Sequence, residues 1–207
     1  MRLEDLVLTP HRLGGFLGLP EHPRGVVVFA HGSGSSRLSP RNTFVARELE
    51  KSGFATLLLD LLTADEASDR RKVFDIPRLA GRLREAIAFV HQEPRTRALP
   101  VGLFGASTGA AAALVAAADA PTDIRAVVSR GGRPDLAGSL LAQVRAPTLL
   151  IVGERDEAVL ELNRRAMQQM TCTVELQIVP GASHLFEEPG ALARVVELAA
   201  GWFQRYL

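Results

Sequence analysis

The string Gly105-Ala106-Ser107-Thr108-Gly109 sets a serine between two glycines, after the apolar run Val101–Phe104 and before the alanine-rich run Ala110–Ala118. A serine on a sharp strand-to-helix turn presents its hydroxyl for attack, and small neighbours let strand and helix come close enough for that turn. The hydroxyl needs a base, and the base needs an acid to fix its tautomer. Of the five histidines, His11 and His22 precede the core runs and His91 ends a helical stretch, which leaves His31 and His184. His184 closes Pro180-Gly181-Ala182-Ser183-His184, just past the apolar run Val174–Val179. Asp156 closes Gly153-Glu154-Arg155-Asp156, just past Thr148–Val152. Groups that follow parallel strands collect at the carboxyl edge of the sheet, so Ser107, Asp156 and His184 are expected at one edge. Each has a plainer reading: a turn serine, a cap for the helix beginning at Glu157, and a surface histidine. Glu154 is the competing acid.

Other polar positions carry weaker signals. Arg130, just past the run Ala126–Ser129, could grip a substrate carboxylate or pair with a neighbouring acid. His31 is expected to shape its glycine-rich loop rather than act as a second base. Asp60 ends another strand and is expected in a structural hydrogen bond. Cys172 reads as a small hydrophobe at a strand start. The histidines lack the i, i+4 spacing of a metal-binding helix and there is no cysteine pair, so no metal is expected. Gly32-Ser33-Gly34 has no following lysine for a phosphate loop and no third glycine for a dinucleotide fold, since Arg37 stands there. No cofactor is expected.

The elements that would position these residues alternate. Val26–Ala30, Ala55–Leu59, Val101–Phe104, Ala126–Ser129, Thr148–Val152 and Val174–Val179 are short, continuous apolar runs, as suits strands buried on both faces of a parallel sheet. Helical patterns lie between them at Pro40–Ser52, Ile76–His91, Thr108–Ala118, Glu157–Met170 and Ala191–Tyr206. Ser39-Pro40 and Asp75 with Pro77 read as helix starts. Leu3–Leu8 and Gly14–Leu19 suggest an antiparallel hairpin at one edge. Leu61–Phe74 is the longest irregular piece, and Gly131–Ala146 has room for a turn and a short helix. Such alternation predicts a three-layer α/β fold around a mostly parallel sheet, as a single domain over residues 1–207.

The 207 residues are 47% hydrophobic and 23% charged, with a formal net charge of +1 and one cysteine. That composition excludes disordered and disulfide-stapled classes, and near-zero charge gives no general attraction to nucleic acid or an anionic membrane. Arg supplies 22 of the 24 basic residues, scattered among acids rather than gathered in a nucleic-acid stripe. The longest apolar runs fall short of the roughly 20 residues of a membrane span. No apolar stretch follows the start Met1-Arg2-Leu3-Glu4-Asp5, so the expected compartment is the cytoplasm.

From about Gly25 onward the chain resembles the α/β-hydrolase family, and more narrowly its small dienelactone-hydrolase-like branch. The resemblance rests on His31-Gly32-Ser33-Gly34-Ser35-Ser36, the Gly105–Gly109 turn, Gly153–Asp156, Gly181–His184 and the order Ser, Asp, His. It implies Ser107 as nucleophile, His184 as general acid/base and Asp156 as orienting acid. It further implies an oxyanion hole from the backbone N–H of Thr108 and of Ser33, with Gly34 as the alternative to Ser33. Dienelactone hydrolase itself uses a cysteine nucleophile, whereas this chain has Ser107 there and its cysteine elsewhere.

The implied activity is cleavage of a small carboxylic ester through an acyl-enzyme. Acyl transfer to another acceptor, thioester cleavage and a non-catalytic binding module are the alternatives, and a homodimer is a further option. Arg130–Pro147 is too short for a cap with its own core. The site is therefore expected to be a shallow, open cleft bordered by Ser33–Ser36, Leu61–Phe74, Arg130 and the His184 loop, with Arg130 and Ser35 as candidate substrate contacts. Such a cleft buries little of a long chain, at about 0.8 kcal/mol per methylene, and predicts a preference for acyl groups of roughly two to six carbons.

Overall fold

The computed structural model describes residues 2–207. Eight strands form one sheet: β1 (Arg2–Leu8), β2 (Leu13–Leu19), β3 (Val26–Ala30), β4 (Ala55–Leu59), β5 (Val101–Ala106), β6 (Ile124–Arg130), β7 (Thr148–Gly153) and β8 (Val174–Val179). Their spatial order is β1-β2-β4-β3-β5-β6-β7-β8. The β1–β2 hairpin is antiparallel and joins β4 in antiparallel register, and every pairing from β4 to β8 is parallel. All residues of β3, β4, β5 and β7 are buried, because helices cover both faces of a parallel sheet.

The longer helices are α1 (Pro40–Lys51), α4 (Ile76–Gln92), α5 (Thr108–Asp119), α6 (Glu157–Met167) and α7 (Ala191–Tyr206). One apolar core lies under α4 and α5, and a second lies under α1 and α7. The start of α1 follows its sequence signals: Pro40 stands in its first turn and the Ser39 side chain accepts the Asn42 N–H. Asp75 caps α4 by accepting the Arg78 N–H at 3.1 Å. From Thr108 through Ala118 every residue of α5 is buried. Its small side chains let it lie close over the middle of the sheet.

Two regions differ from the sequence-based expectation. Leu61–Phe74 is ordered into two single-turn helices, α2 (Ala64–Ala67) and α3 (Arg70–Val73). Thr63 and Glu66 cap each other's backbone reciprocally, and Arg78 and Arg82 both hold the Glu66 carboxylate at 3.1 Å. Four-residue helices contain no full apolar period, so only tertiary ion pairs reveal them. The helix expected to reach Met170 stops at Met167. Between β6 and β7, Pro134–Gln143 forms 3-10 turns with no cap domain above the sheet. Among the described residues no helix is long and apolar enough to cross a membrane.

Candidate active site

Ser107 begins α5 with φ 52° and ψ −123°, a strained backbone for a residue with a Cβ, at a cost of about 1–3 kcal/mol. Close packing imposes it. A Cβ on Gly109 would lie 2.2 Å from the Ala30 carbonyl oxygen, and one on Gly105 would lie 2.4 Å from Ala110 Cα. The turn is tied to the end of β6: the Ser107 N–H donates to the Arg130 carbonyl at 3.2 Å, and the Arg133 N–H donates to the Ser107 carbonyl at 3.1 Å. The Ser107 side chain makes no capping hydrogen bond.

His184 Nδ1 donates to Asp156 Oδ2 at 2.6 Å. Asp156 stands at the start of α6 but gives that helix no side-chain cap, so its carboxylate serves the imidazole. Glu154, the competing acid, instead accepts the Gly181 N–H at 2.7 Å. The His184 loop lies directly on the end of β7, where a Cβ on Gly153 would meet the Ala182 carbonyl oxygen at 2.4 Å. The Arg155 N–H donates to the Ala182 carbonyl at 2.9 Å. Glu188 accepts the Ser183 N–H at 3.0 Å and the Arg155 guanidinium. Those bonds, from Ser183 first, hold the Glu188 carboxyl down at about 2.

The two halves meet at Gly131. A Cβ there would lie 3.1 Å from the His184 carbonyl oxygen and 3.5 Å from His184 Cε1, and the preceding residue is the one whose carbonyl holds Ser107. The imidazole therefore lies beside the serine turn, with Nδ1 engaged by Asp156. Ser107 and His184 make no hydrogen bond to each other among the described residues. Such contacts tighten when substrate is bound.

His31 is a scaffold. Its Nδ1 donates to the Gly32 carbonyl at 2.9 Å and its Nε2 accepts the Leu61 N–H at 3.0 Å. Burial pushes its pKa below the ordinary value, and a neutral ring satisfies both bonds. It pins the loop after β3 to the end of β4. A Cβ on Gly32 would lie 2.9 Å from Ser107 Cβ, so this loop passes Ser107 closely.

The oxyanion region needs one correction. The Ser33 N–H, expected as a free second donor, donates to Thr108 Oγ1 at 2.9 Å. Residue 33 meets residue 108 as expected, but the Thr108 hydroxyl occupies the donor. Gly34 turns the loop with φ +68°, and the Ser35 N–H closes that turn on the Gly32 carbonyl at 3.2 Å. Asp60 holds the same loop by accepting the Arg37 N–H at 2.7 Å and pairing with the Arg37 guanidinium.

A cavity of about 740 Å³ opens beside this edge, a volume ordinary for small-molecule sites, and neither Ser107 nor the His184 loop lines it. Ser33–Arg41 form one wall and Leu62, Ala64, Ala67 and Val73 another, with Ser35 and Thr108 also on its lining. The helices formed within Leu61–Phe74 give it depth. Arg130, expected on its border, does not line it, because the side chain is turned into the interior. Cys172 is half-buried against the core, and burial pushes its thiol pKa up. Among the described residues no group of three or more His, Cys, Asp and Glu side chains is placed to hold a metal ion. The sequence reading missed Glu188, Arg155 and Arg41, charged loop and helix residues with no periodic signal.

The sheet order, the strained serine after β5 and the acid and histidine after β7 and β8 define an α/β-hydrolase. The dienelactone hydrolase family matches residues 13–205, and the chain belongs to it. A crystal structure of a dienelactone hydrolase from Anabaena variabilis is 51% identical and covers all of both chains with a TM-score of 0.94. A Mycobacterium tuberculosis protein, provisionally named a phosphoribosyl transferase, is 59% identical over 203 residues. That match takes in 98% of this chain and 46% of the relative, so the chain spans about half the length of the curated relatives it first matches. A Bradyrhizobium protein, provisionally named a 2-oxo-3-(5-oxofuran-2-ylidene)propanoate lactonase, is 29% identical over 70% of this chain and 66% of its own length.

Proposed function

We propose that the chain is a serine hydrolase of carboxylic esters or lactones that works through an acyl-enzyme. The observation that carries this reading is the Asp156–His184 pair at 2.6 Å, seated beside a serine whose strained turn leaves its hydroxyl unused. In this reading His184 Nε2 takes the Ser107 proton as Oγ attacks the carbonyl carbon. Asp156 holds the tautomer and stabilises the imidazolium. The proton passes to the leaving oxygen, the acyl group stays on Oγ, and water activated by the same imidazole releases the acid.

The tetrahedral oxyanion is held by the Thr108 N–H at the start of α5 and by the Thr108 hydroxyl. With its oxygen accepting from Ser33, that hydroxyl has its own proton free to donate. The cavity walled by Ser33–Arg41 and the α2–α3 segment receives one side of the ester. The transferase name of the Mycobacterium tuberculosis relative belongs to a protein about twice as long as the matched segment. Within that segment this chain carries the serine, acid and histidine of acyl chemistry.

Two measurements test the reading together. A fluorophosphonate should label the protein once, and p-nitrophenyl esters of two to six carbons should give a burst of chromophore. Ser107→Ala should abolish labelling and lower kcat on the order of 10⁶-fold. Near-normal turnover in Ser107→Ala rejects the assignment.

A further inference from the structure

The cavity wall built from Leu61–Phe74 is fixed at its ends, with little apolar packing between them. Leu61 and Leu62 are buried at one end and Ile76 just past the other, and Val73 packs against the core. Neither α2 nor α3 contains a buried residue, although Ala64 and Ala67 of α2 line the cavity. The polar tie between α2 and the body is one carboxylate: Glu66 Oε1 accepts from Arg78 and from Arg82 of α4, both at 3.1 Å. Asp69 caps α3 from within the segment, and the Arg71 side chain is 92% exposed.

Each of these two arginines already touches a second acid. Arg78 Nε donates to Asp75 at 3.3 Å. Arg82 Nη1 lies 3.6 Å from Glu85, within ion-pair reach but beyond a hydrogen bond. Arg82 is 6% exposed, and its Nε and Glu85 Oε2 are both buried without hydrogen-bond partners. Burial pushes the Glu85 carboxyl pKa up, against the pull of Arg82. Taking Glu66 away from a buried guanidinium would ordinarily strand its charge at high cost. Here Glu85 has an oxygen free to complete the bonds of Arg82, and Asp75 already holds Arg78. Release of Glu66 strands neither arginine.

We propose that α2 and α3 form a lid over the cavity, latched by Glu66 on Arg78 and Arg82 and released when Arg82 passes to Glu85. Its two states differ by an exchange of ion pairs rather than by a loss of apolar packing, which is how a segment opens without unfolding the domain. Closed, the lid brings Ala64 and Ala67 to the cavity wall and shields what the cavity holds from water. It governs entry to the site of the hydrolase reading, and it rests on that reading only for its effect on turnover.

Limited trypsin digestion of the whole chain reads the lid directly, because Arg70, Arg71 and Lys72 lie on α3. Glu66→Gln keeps a carbonyl for the Thr63 N–H but no charge for the arginines. It should speed the cut in α3 by about tenfold or more, the worth of a charge-assisted hydrogen bond. Glu85→Gln should slow the same cut, since an open lid would then strand Arg82, and it carries the test if Glu66→Gln does not fold. Cutting outside α3, which reports opening of the whole fold, should change in neither variant. Equal rates in all three proteins, acceleration by both substitutions, or a rise in cutting along the whole chain overturns the lid. In turnover, KM for p-nitrophenyl 4-phenylbutyrate should rise several-fold in Glu66→Gln while KM for the acetate holds. A KM that stays the same for both esters overturns the lid's place at the site. Opposite shifts in cutting with no ester turned over by the wild type reject the hydrolase reading and keep the lid. Ester turnover with equal cutting does the reverse.

Discussion

Ser107 and the Asp156–His184 pair sit at one sheet edge but are held by different physics. Around Ser107 the constraint is backbone against backbone: Gly105 and Gly109 are where strand, helix and the β3 loop have no room for a Cβ, and α5 is buried from Thr108 through Ala118. Around His184 the constraint is polar and partly solvated. Its loop hangs from the Glu154 and Glu188 carboxylates and from Arg155, and the imidazole itself is 39% exposed. In the proposed mechanism Ser107 must hold one strained geometry through the whole cycle, which close packing enforces. In that mechanism the imidazole must carry a proton between three oxygens, and hydrogen bonds around a partly exposed ring hold it while leaving room to adjust.

That contrast predicts three effects of decreasing size. Gly109→Ala forces a Cβ to 2.2 Å from the Ala30 carbonyl oxygen, with backbone on both sides and nowhere to relax. It should cost more than about 3 kcal/mol in denaturant unfolding, or prevent folding altogether. A mild effect would mean that the serine turn is not held by close approach. Glu188→Gln should leave the unfolding midpoint nearly unchanged and lower kcat about tenfold, as expected when a loop bearing a catalytic group is slightly misplaced. Since the Arg155–Glu188 pair is partly exposed, the wild type should move toward the variant's kcat at high salt. A large stability loss instead would make the two halves alike.

The smallest effect concerns His31. Burial holds its folded pKa below the unfolded value, so the folded state prefers the neutral ring. Its contribution is complete above the ordinary value of about 6.5 and is lost as pH falls from there toward the folded pKa. His31→Gln should lower Tm at pH 7.5 and flatten the decline of Tm between pH 7 and 5. An equally steep decline in the variant would mean that other groups carry the acid sensitivity.

Much of this site was legible because each of its residues follows an apolar run. A parallel sheet sends the carboxyl ends of its strands to one edge, so Ser107, Asp156 and His184 meet there whatever lies between them. The serine turn was legible because only small residues suit it, and the missing cap because Arg130–Pro147 is short. Other features depended on how side chains settle once distant segments meet. Asp156, and not Glu154, reaches His184. The Ser33 N–H, 75 residues from Thr108, finds its hydroxyl. The segment Leu61–Phe74 becomes a cavity wall because Arg78 and Arg82 anchor Glu66. Arg130 is left without a partner although the chain has nearly as many acids as bases. Periodicity and spacing determined which backbone runs would be neighbours. Rotamers and ångström-scale contacts, which no local pattern encodes, decided which polar atoms would be satisfied and which would be left unpaired.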